Sequence, residues 1–140
     1  MYLIDTNVIS ELRKKGRANP GVTDFFRRVA AADEPLYLSV IALGELRRGV
    51  ERIRRRGDTV QAALLEQWLE RVLQEYSNHI LDFDADAAQI WGKLTALDPE
   101  HDIDKQIAAT ALLYGLTVVT RNVTDFAGTG AKLLDPFEQG

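Results

Sequence analysis

Four carboxylate side chains stand far apart in this sequence, at positions from which they could share one cation. Asp5 ends a short apolar run, Glu45 and Asp104 lie in later helical segments, and Asp125 follows another apolar run. Carboxylates that share a pocket repel one another, and a divalent cation relieves that repulsion. The chain has no cysteine. A ligand set made of oxygen atoms favours Mg²⁺ or Mn²⁺ over zinc.

Each of these positions also has a purely structural explanation. Asp5 and Asp104 suit the start of a helix, where a carboxylate caps the chain and complements the helix dipole. Glu45 fits a solvated glutamate on an arginine-rich helix, and Asn122 and Asp125 belong to residue types that are common in turns. Any one position alone is therefore weak evidence for a site.

The surroundings of Glu45 favour a cleft. Gly44 and Gly49 flank it within a predicted helix, although a glycine in a helix interior costs about 1 kcal/mol relative to alanine. These glycines leave space around the carboxylate.

Strands and helices are predicted to alternate along the chain, because short apolar runs bounded by turn residues are separated by segments of helical period. The predicted strands are Tyr2–Ile4, Leu36–Leu38, Ile80–Leu81, Thr117–Thr120 and Lys132–Leu134. The predicted helices are Thr6–Lys14, Val22–Ala32, a helix capped by Ser39, a helix that follows Gly57 and Asp58, Asp84–Leu97 and Asp104–Tyr114. This alternation predicts an α/β fold in which helices cover both faces of a parallel sheet. Ligands of such sheets bind beyond the carboxyl ends of the strands, where the residues that follow the strands are expected to converge.

Composition narrows the class of protein. The 140 residues fit one domain spanning 1–140, and the apolar and charged fractions of 46% and 27% are ordinary for a soluble globular protein. A net charge of −4 argues against nucleic-acid binding by the whole surface. No apolar run approaches the roughly 20 residues that span a bilayer, and the N-terminus does not read as a signal peptide. We expect a cytoplasmic protein that does not contact a membrane.

Six arginines crowd one predicted helix just after Glu45, among them Arg47, Arg48 and Arg52. They form either a solvated helix face that is partly paired with Glu51, a track for phosphates that leads to the metal, or a docking face for an acidic partner. The two histidines lie too far apart in the sequence to suggest a metal pair, and His101 is interpreted as an exposed loop residue.

Four segments together resemble the acidic motifs of PIN domains in their order and spacing, most closely those of the VapC and FitB-like toxins. The segments are Leu3-Ile4-Asp5-Thr6-Asn7-Val8, Ser39 to Leu46, Asp104 to Ala111, and Val119 to Phe126. The resemblance covers nearly the whole chain. The four motifs together are specific to this family, whereas the first motif alone would not be.

The resemblance implies a three-layer α/β sandwich and an endoribonuclease that cleaves single-stranded RNA with Mg²⁺, or with Mn²⁺ in its place. It also implies a homodimer and an inhibitory antitoxin partner. Carried over by position, Asp5, Glu45 and Asp104 hold the metal, and either Asp125 or Asn122 takes the fourth position. Supporting roles fall to Thr6, Asn7 and Thr120, which are placed to hydrogen-bond a carboxylate or to position water or phosphate.

Two alternatives remain at this point. A phosphohydrolase with an aspartyl nucleophile would want a second aspartate two residues after Asp5, where Asn7 stands, and a receiver-type domain would want a lysine after the strand Thr117–Thr120. The other alternative is a PIN-like module that has lost its metal site and acts only by binding. Asn122, which stands where many family members have aspartate, is its support.

Overall fold

The computed structural model describes residues 1–139, which form one sheet with helices packed on both of its faces. The strands are β1 (Tyr2–Ile4), β2 (Leu36–Ser39), β3 (Ile80–Leu81), β4 (Thr117–Val119) and β5 (Lys132–Leu134). The α-helices are α1 (Thr6–Glu11), α2 (Pro20–Ala31), α3 (Val40–Arg55), α4 (Thr59–Glu75), α5 (Ala85–Leu97), α6 (Asp102–Tyr114) and α7 (Val123–Phe126). Two 3₁₀ helices span Leu12–Arg17 and Pro136–Gln139.

All neighbouring strands of the sheet are parallel, in the order β3-β2-β1-β4-β5. The first strand is therefore central, with Tyr2 aligned to Leu36 on one side and to Thr117 on the other. The chain builds outward from β1 to β3 and then crosses to the opposite side to add β4. Such a reversal opens a crevice at the carboxyl ends of the central strands, and Asp5 stands at that crevice. The predicted α/β sandwich is confirmed.

Successive side chains of the central strands enter different layers of the core, as the two-residue period of a strand requires. Ile4 and Val119 pack with the cluster formed by α1 to α4, which includes Phe25. Leu3 and Val118 pack with the other cluster, which includes side chains from α6 and α7. Because both faces of the sheet are buried, its strands read as continuous apolar runs.

The first helix is shorter than predicted. It ends at Glu11 rather than Lys14, and the chain continues as a 3₁₀ helix that is broken at Lys15, where φ is 52°. The Glu11 carboxylate accepts a hydrogen bond from the Asn19 backbone N–H at 2.8 Å and pairs with Lys14 Nζ at 2.9 Å. These contacts fold the following chain back onto the end of α1. The periodicity of the local sequence does not predict this turn of the chain.

Several other boundaries differ by one or two residues. The second helix starts at Pro20 rather than Val22, because proline suits the first helical position and Asn19 caps the helix. The helix that contains Asp104 begins at Asp102, and β4 stops at Val119. The one-turn helix α7 was not predicted, since four residues are too few to show a period. Ser39 caps α3 as predicted, accepting from the Ile41 N–H at 3.0 Å.

Membrane-spanning helices were sought over residues 1–139. None of the helices found there is both long enough and apolar enough to cross a bilayer.

Candidate active site

Asp5 ends the central strand and is held by four hydrogen bonds. Its Oδ1 accepts from the Thr6 N–H at 2.8 Å and lies 3.3 Å from Thr6 Oγ1, while its Oδ2 accepts from Thr120 Oγ1 at 2.7 Å and from Asn7 Nδ2 at 3.2 Å. Only 2% of the residue is exposed. Burial raises the pKa of Asp5, and these hydrogen bonds partly oppose that rise. Asp5 does cap α1, but its fixed carboxylate is also aimed at the sheet edge.

Thr120 and Asn7 tie the end of β4 to the start of α1. Thr120 is fully buried, and its hydroxyl accepts from the Asn122 N–H at 3.0 Å while it donates to Asp5. The Asn7 side chain accepts from the Arg121 N–H at 3.0 Å. The predicted supporting residues therefore meet around the Asp5 carboxylate from two separate elements.

Glu45 reaches the same place from α3. Thr6 Oγ1 lies 3.2 Å from Glu45 Oε1, so one hydroxyl bridges the Glu45 and Asp5 carboxylates and donates to one of them at a time. Arg48 approaches from the other side, with Nη2 3.7 Å from Glu45 Oε2. Burial raises the pKa of Glu45, and the nearby charges of Asp5 and then Asp104 raise it further.

Asp104 lies in the first turn of α6, and its surroundings differ from those of Asp5. Within residues 1–139, no group hydrogen-bonds its half-buried carboxylate, and the cap position of α6 belongs to His101. Burial raises the pKa of Asp104 to about 6, with further contributions from the charges of Asp5 and Asp125. A capping role through a side-chain hydrogen bond therefore does not account for this residue.

Asp125 enters the site from α7, whereas Asn122 remains at its margin. Ligand atoms of His101, Asp104 and Asp125 all lie within 4.8 Å of one another. Asn122 is exposed and occupies the cap position of α7, where its side chain makes no capping hydrogen bond. The structure thus places the Asp125 carboxylate beside that of Asp104.

The chemistry of this donor set suits a divalent cation. The charge of Asp5 raises the pKa of both Glu45 and Asp104, and the charge of Asp104 raises the pKa of Glu45. Folding has brought negatively charged carboxylates together at a place where burial already disfavours their ionisation. A protein tolerates such a cluster when a bound cation neutralises the carboxylates. The residues present therefore fit a site for Mg²⁺ or Mn²⁺ with oxygen ligands.

Two residues beside the site had no assigned role at the sequence level. His101 is exposed, as predicted, but its Nε2 lies 3.6 Å from Asp125 Oδ1. Lys105 is only 4% exposed, and its Nζ contacts the Glu100 carbonyl oxygen and, at 3.5 Å, Asp98 Oδ2. The spacing of His101 and Asp104, three residues apart at a helix start, is the one pattern that could have indicated the first.

A groove of about 540 Å³ leads away from Glu45 between α1, α3 and α4. Thr6 and Glu45 line one end, Gly49 lies along α3, and Trp68 lies on α4. The guanidinium of Arg13 stands 5.6 Å from the Trp68 ring centroid. A side chain added at Gly49 would project into open space, in keeping with the space that the sequence predicted beside Glu45.

The arginines of α3 divide into two groups. Arg47 makes two hydrogen bonds of 2.7 Å to Glu66 on α4, and Glu51 lies 3.1 Å from Arg47 and also binds Arg54. These guanidiniums lower the pKa of Glu66 to about 2. By contrast Arg48 points to Glu45, and Arg52 is exposed and has no ion pair among the described residues. Pairing with Glu51 is as predicted, but the larger contribution of Glu66 is not evident from the sequence.

Comparisons with known proteins identify a family and named relatives. The family model described as PIN domain matches residues 2–131. The chain is 34% identical over 147 residues to the VapC ribonuclease Y4jK of Sinorhizobium fredii, covering 99% of each chain. It is 31% identical over 142 residues to the toxin FitB of Neisseria gonorrhoeae, covering 98% of this chain and 99% of that one.

A solved structure shares the fold along nearly the whole chain. The crystal structure of FitAcB from Neisseria gonorrhoeae superimposes with a TM-score of 0.83 at 31% identity, over 98% of this chain and 99% of the other.

Proposed function

The chain belongs to the PIN domain family, and from that premise we propose that it is a Mg²⁺-dependent endoribonuclease and the toxin of a toxin–antitoxin pair. Support comes from relatives of nearly the same length that are named a VapC ribonuclease and a toxin. The proposed substrate is single-stranded RNA. The proposed protein partners are a cognate antitoxin and a second copy of this chain.

One observation carries the nuclease proposal. The Asp104 carboxylate is half-buried and accepts no hydrogen bond from any group of residues 1–139, and its pKa is raised by burial and then by the charges of Asp5 and Asp125. A carboxylate in such surroundings is stabilised by a cation, whereas a carboxylate that caps a helix is already stabilised by backbone N–H groups. Neither a turn nor a helix cap requires acidic side chains from β1, α3, α6 and α7 to share one place.

Each residue of the site has a proposed task. Asp5, Glu45 and Asp104 would hold Mg²⁺ through carboxylate oxygens. The bound cation would supply Lewis-acid chemistry, by acidifying water and by neutralising charge that develops on the scissile phosphate. Thr120 and Asn7 hold the Asp5 carboxylate in one orientation, and Thr6 sets the spacing between Asp5 and Glu45. Arg48 stands beside Glu45 and Arg52 lies about one turn further along α3, and their positive charge would attract RNA phosphates.

Asparagine substitutions test the proposal directly. Asp5→Asn and Asp104→Asn keep the size of the side chain and the capacity to cap a helix, since asparagine caps about as well as aspartate. We expect both variants to fold and to lose RNA cleavage by more than the roughly 10–100-fold that loss of an outer-shell partner causes. Cleavage of a mixed-sequence single-stranded RNA is measured in Mg²⁺ and in EDTA.

Asp58→Asn is the matched control. Asp58 caps α4 by accepting from the Gln61 N–H at 3.0 Å and belongs to no part of the site. This variant should cleave RNA at the parent rate. Should Asp5→Asn and Asp104→Asn also cleave at the parent rate, the nuclease proposal fails and a binding-only module becomes the better interpretation.

The fourth position of the site can be assigned by a second pair of variants. Because Asp125 lies with Asp104 whereas Asn122 is exposed at the cap of α7, we expect Asp125→Asn to weaken Mn²⁺ binding and cleavage. Asn122→Asp should change both by less than a few-fold. The reverse pattern would assign the fourth position to Asn122.

A further inference from the structure

His101 belongs to the immediate surroundings of the acidic site, although its position is outside the four acidic motifs. It occupies the cap position of α6 with a left-handed backbone, φ 55° and ψ 51°. Its ring nitrogen Nε2 stands 3.6 Å from Asp125 Oδ1, and its ligand atom lies within 4.8 Å of those of Asp104 and Asp125. A nitrogen donor therefore faces two carboxylates that come from different helices.

The segment that carries His101 is fixed from two sides. The buried Lys105 contacts the Glu100 carbonyl oxygen and Asp98, and the Lys105 N–H donates to the His101 carbonyl oxygen at 3.0 Å. On the other side, Trp91 Nε1 donates to Asp102 Oδ1 at 3.1 Å. These contacts hold the backbone of His101 over the site, whereas an ordinary exposed loop residue would lack them.

A simple ion pair explains the position of His101 poorly. The distance of 3.6 Å to Asp125 is too long for a hydrogen bond, and the two side chains are 44% and 35% exposed. Exposed ion pairs of this kind contribute little to stability. The ligand atoms of the three side chains instead lie within 4.8 Å of one another, close to the separation of at most about 4.2 Å between ligands of one ion when each bond is about 2.1 Å.

We propose that His101 is a cation ligand, which binds together with Asp104 and Asp125 and gives the site a preference for Mn²⁺ over Mg²⁺. This inference rests on the proposed function, because it assumes that the acidic site holds a divalent cation. Mg²⁺ strongly prefers oxygen ligands, whereas first-row transition ions accept imidazole nitrogen readily. A single histidine added to carboxylates therefore changes which ion the site selects.

The composition of the chain allows a clean test, since it contains only two histidines. The untagged protein is loaded with Mn²⁺, and pulsed electron paramagnetic resonance measures coupling of the ion to imidazole ¹⁴N. Titration calorimetry with Mn²⁺ and with Mg²⁺ gives the ratio of the two affinities. The variant His101→Asn removes the nitrogen donor, keeps an oxygen, and suits the left-handed backbone.

The matched control is His79→Asn. His79 stacks on Tyr37 with ring centroids 4.9 Å apart, bonds to the Leu36 carbonyl oxygen, and directly precedes β3, at the opposite edge of the sheet from the acidic site. We expect nitrogen coupling in the parent protein and in His79→Asn, and none in His101→Asn. The preference for Mn²⁺ should fall on the order of tenfold in His101→Asn only.

The outcomes separate this inference from the proposed function. Mn²⁺ that binds without nitrogen coupling, and with equal selectivity in His101→Asn, overturns the role of His101 while Asp104-dependent RNA cleavage still supports the nuclease. Failure of both ions to bind the parent protein overturns the two proposals together. Coupling that persists in His101→Asn but disappears in His79→Asn also overturns the role of His101.

Discussion

The Asp104 carboxyl group carries much of the pH dependence expected of the metal-free protein. Its pKa rises from an ordinary 3.8 to about 6 on folding. A raised pKa means that the folded state binds the proton more tightly than the unfolded state does. The stability that this proton contributes is fully present below pH 3.8 and is lost as the pH rises through 6.

We therefore expect the metal-free protein to melt a few degrees higher at pH 5 than at pH 7.5. Carboxylates with lowered pKa values, such as Glu66, act in the opposite direction only below about pH 4.5, outside this window. Melting is followed by circular dichroism in EDTA, with Asp104→Asn beside the parent. A pH difference that survives unchanged in Asp104→Asn would show that another group is responsible.

At the scale of single residues, sequence reasoning identified carboxylates more readily than their surroundings. Asp5, Glu45 and Asp104 could be selected because the carboxyl ends of parallel strands meet at one edge. The structure places these three side chains together, although their roles stay predictions. His101 had only its three-residue spacing from Asp104 to indicate it, and Lys105 had no sequence signal, because the position of both residues at the site depends on how α6 packs against α5 and α7.

The arginine network between α3 and α4 acts at the scale of elements. Arg47 and Arg54 on one helix share Glu66 on the other, so these charges hold two helices together across the groove. Their guanidiniums are already engaged by carboxylates. Arg48, whose 3.7 Å contact with Glu45 is longer, and Arg52, which has no ion pair among the described residues, are therefore better placed to meet an RNA phosphate.

We expect substitutions to separate these two groups of arginines. Arg47→Ala should lower the melting temperature by a few degrees and leave the salt dependence of RNA binding unchanged. Arg48→Ala and Arg52→Ala should each reduce the slope of log affinity against log salt by about 0.7, the value for one phosphate of a single strand. Binding is measured by fluorescence anisotropy in EDTA, so that cleavage does not interfere.

The opposite assignment would be visible in the same data. A reduced salt slope in Arg47→Ala would mean that the network opens to receive RNA. Unchanged affinity in all three variants would leave the arginines as a solvated helix face, which was one interpretation of the sequence.

The elements themselves were largely predictable, and their ends were less so. Strands were found because burial on both faces gives short apolar runs, and α3 because Ser39 is a standard cap. The end of α1 was misplaced because the contact of Glu11 with Asn19 determines it. That contact joins residues beyond the helix, so the helical periodicity of the sequence does not predict it.

At the scale of the whole molecule, the site should make stability depend on cations. The metal-free fold must keep several carboxylates together, and an ion that binds only the folded state stabilises it by mass action. At one hundred times its dissociation constant, Mn²⁺ should add about 2.7 kcal/mol and raise the melting temperature by roughly 5–10 °C. Differential scanning fluorimetry in EDTA and in Mn²⁺ measures this shift.

Two variants make the melting experiment specific. The shift should vanish in Asp104→Asn and persist in Asp58→Asn, whose carboxylate caps α4 outside the site. An equal shift in both variants would place the stabilising ion somewhere else on the surface.

The pairing of β4 with β1 brings together parts of the chain that are made at very different times. Thr120, which holds Asp5, follows it by 115 residues, and Asp104 and Asp125 also belong to the last third of the sequence. A ribosome that has released only residues 1–100 has therefore produced Asp5 and Glu45 without the strand and helices that complete their surroundings. A chain translated only to residue 100 lacks the assembled acidic site, so the proposed activity against RNA would begin only after Asp125 has left the ribosome.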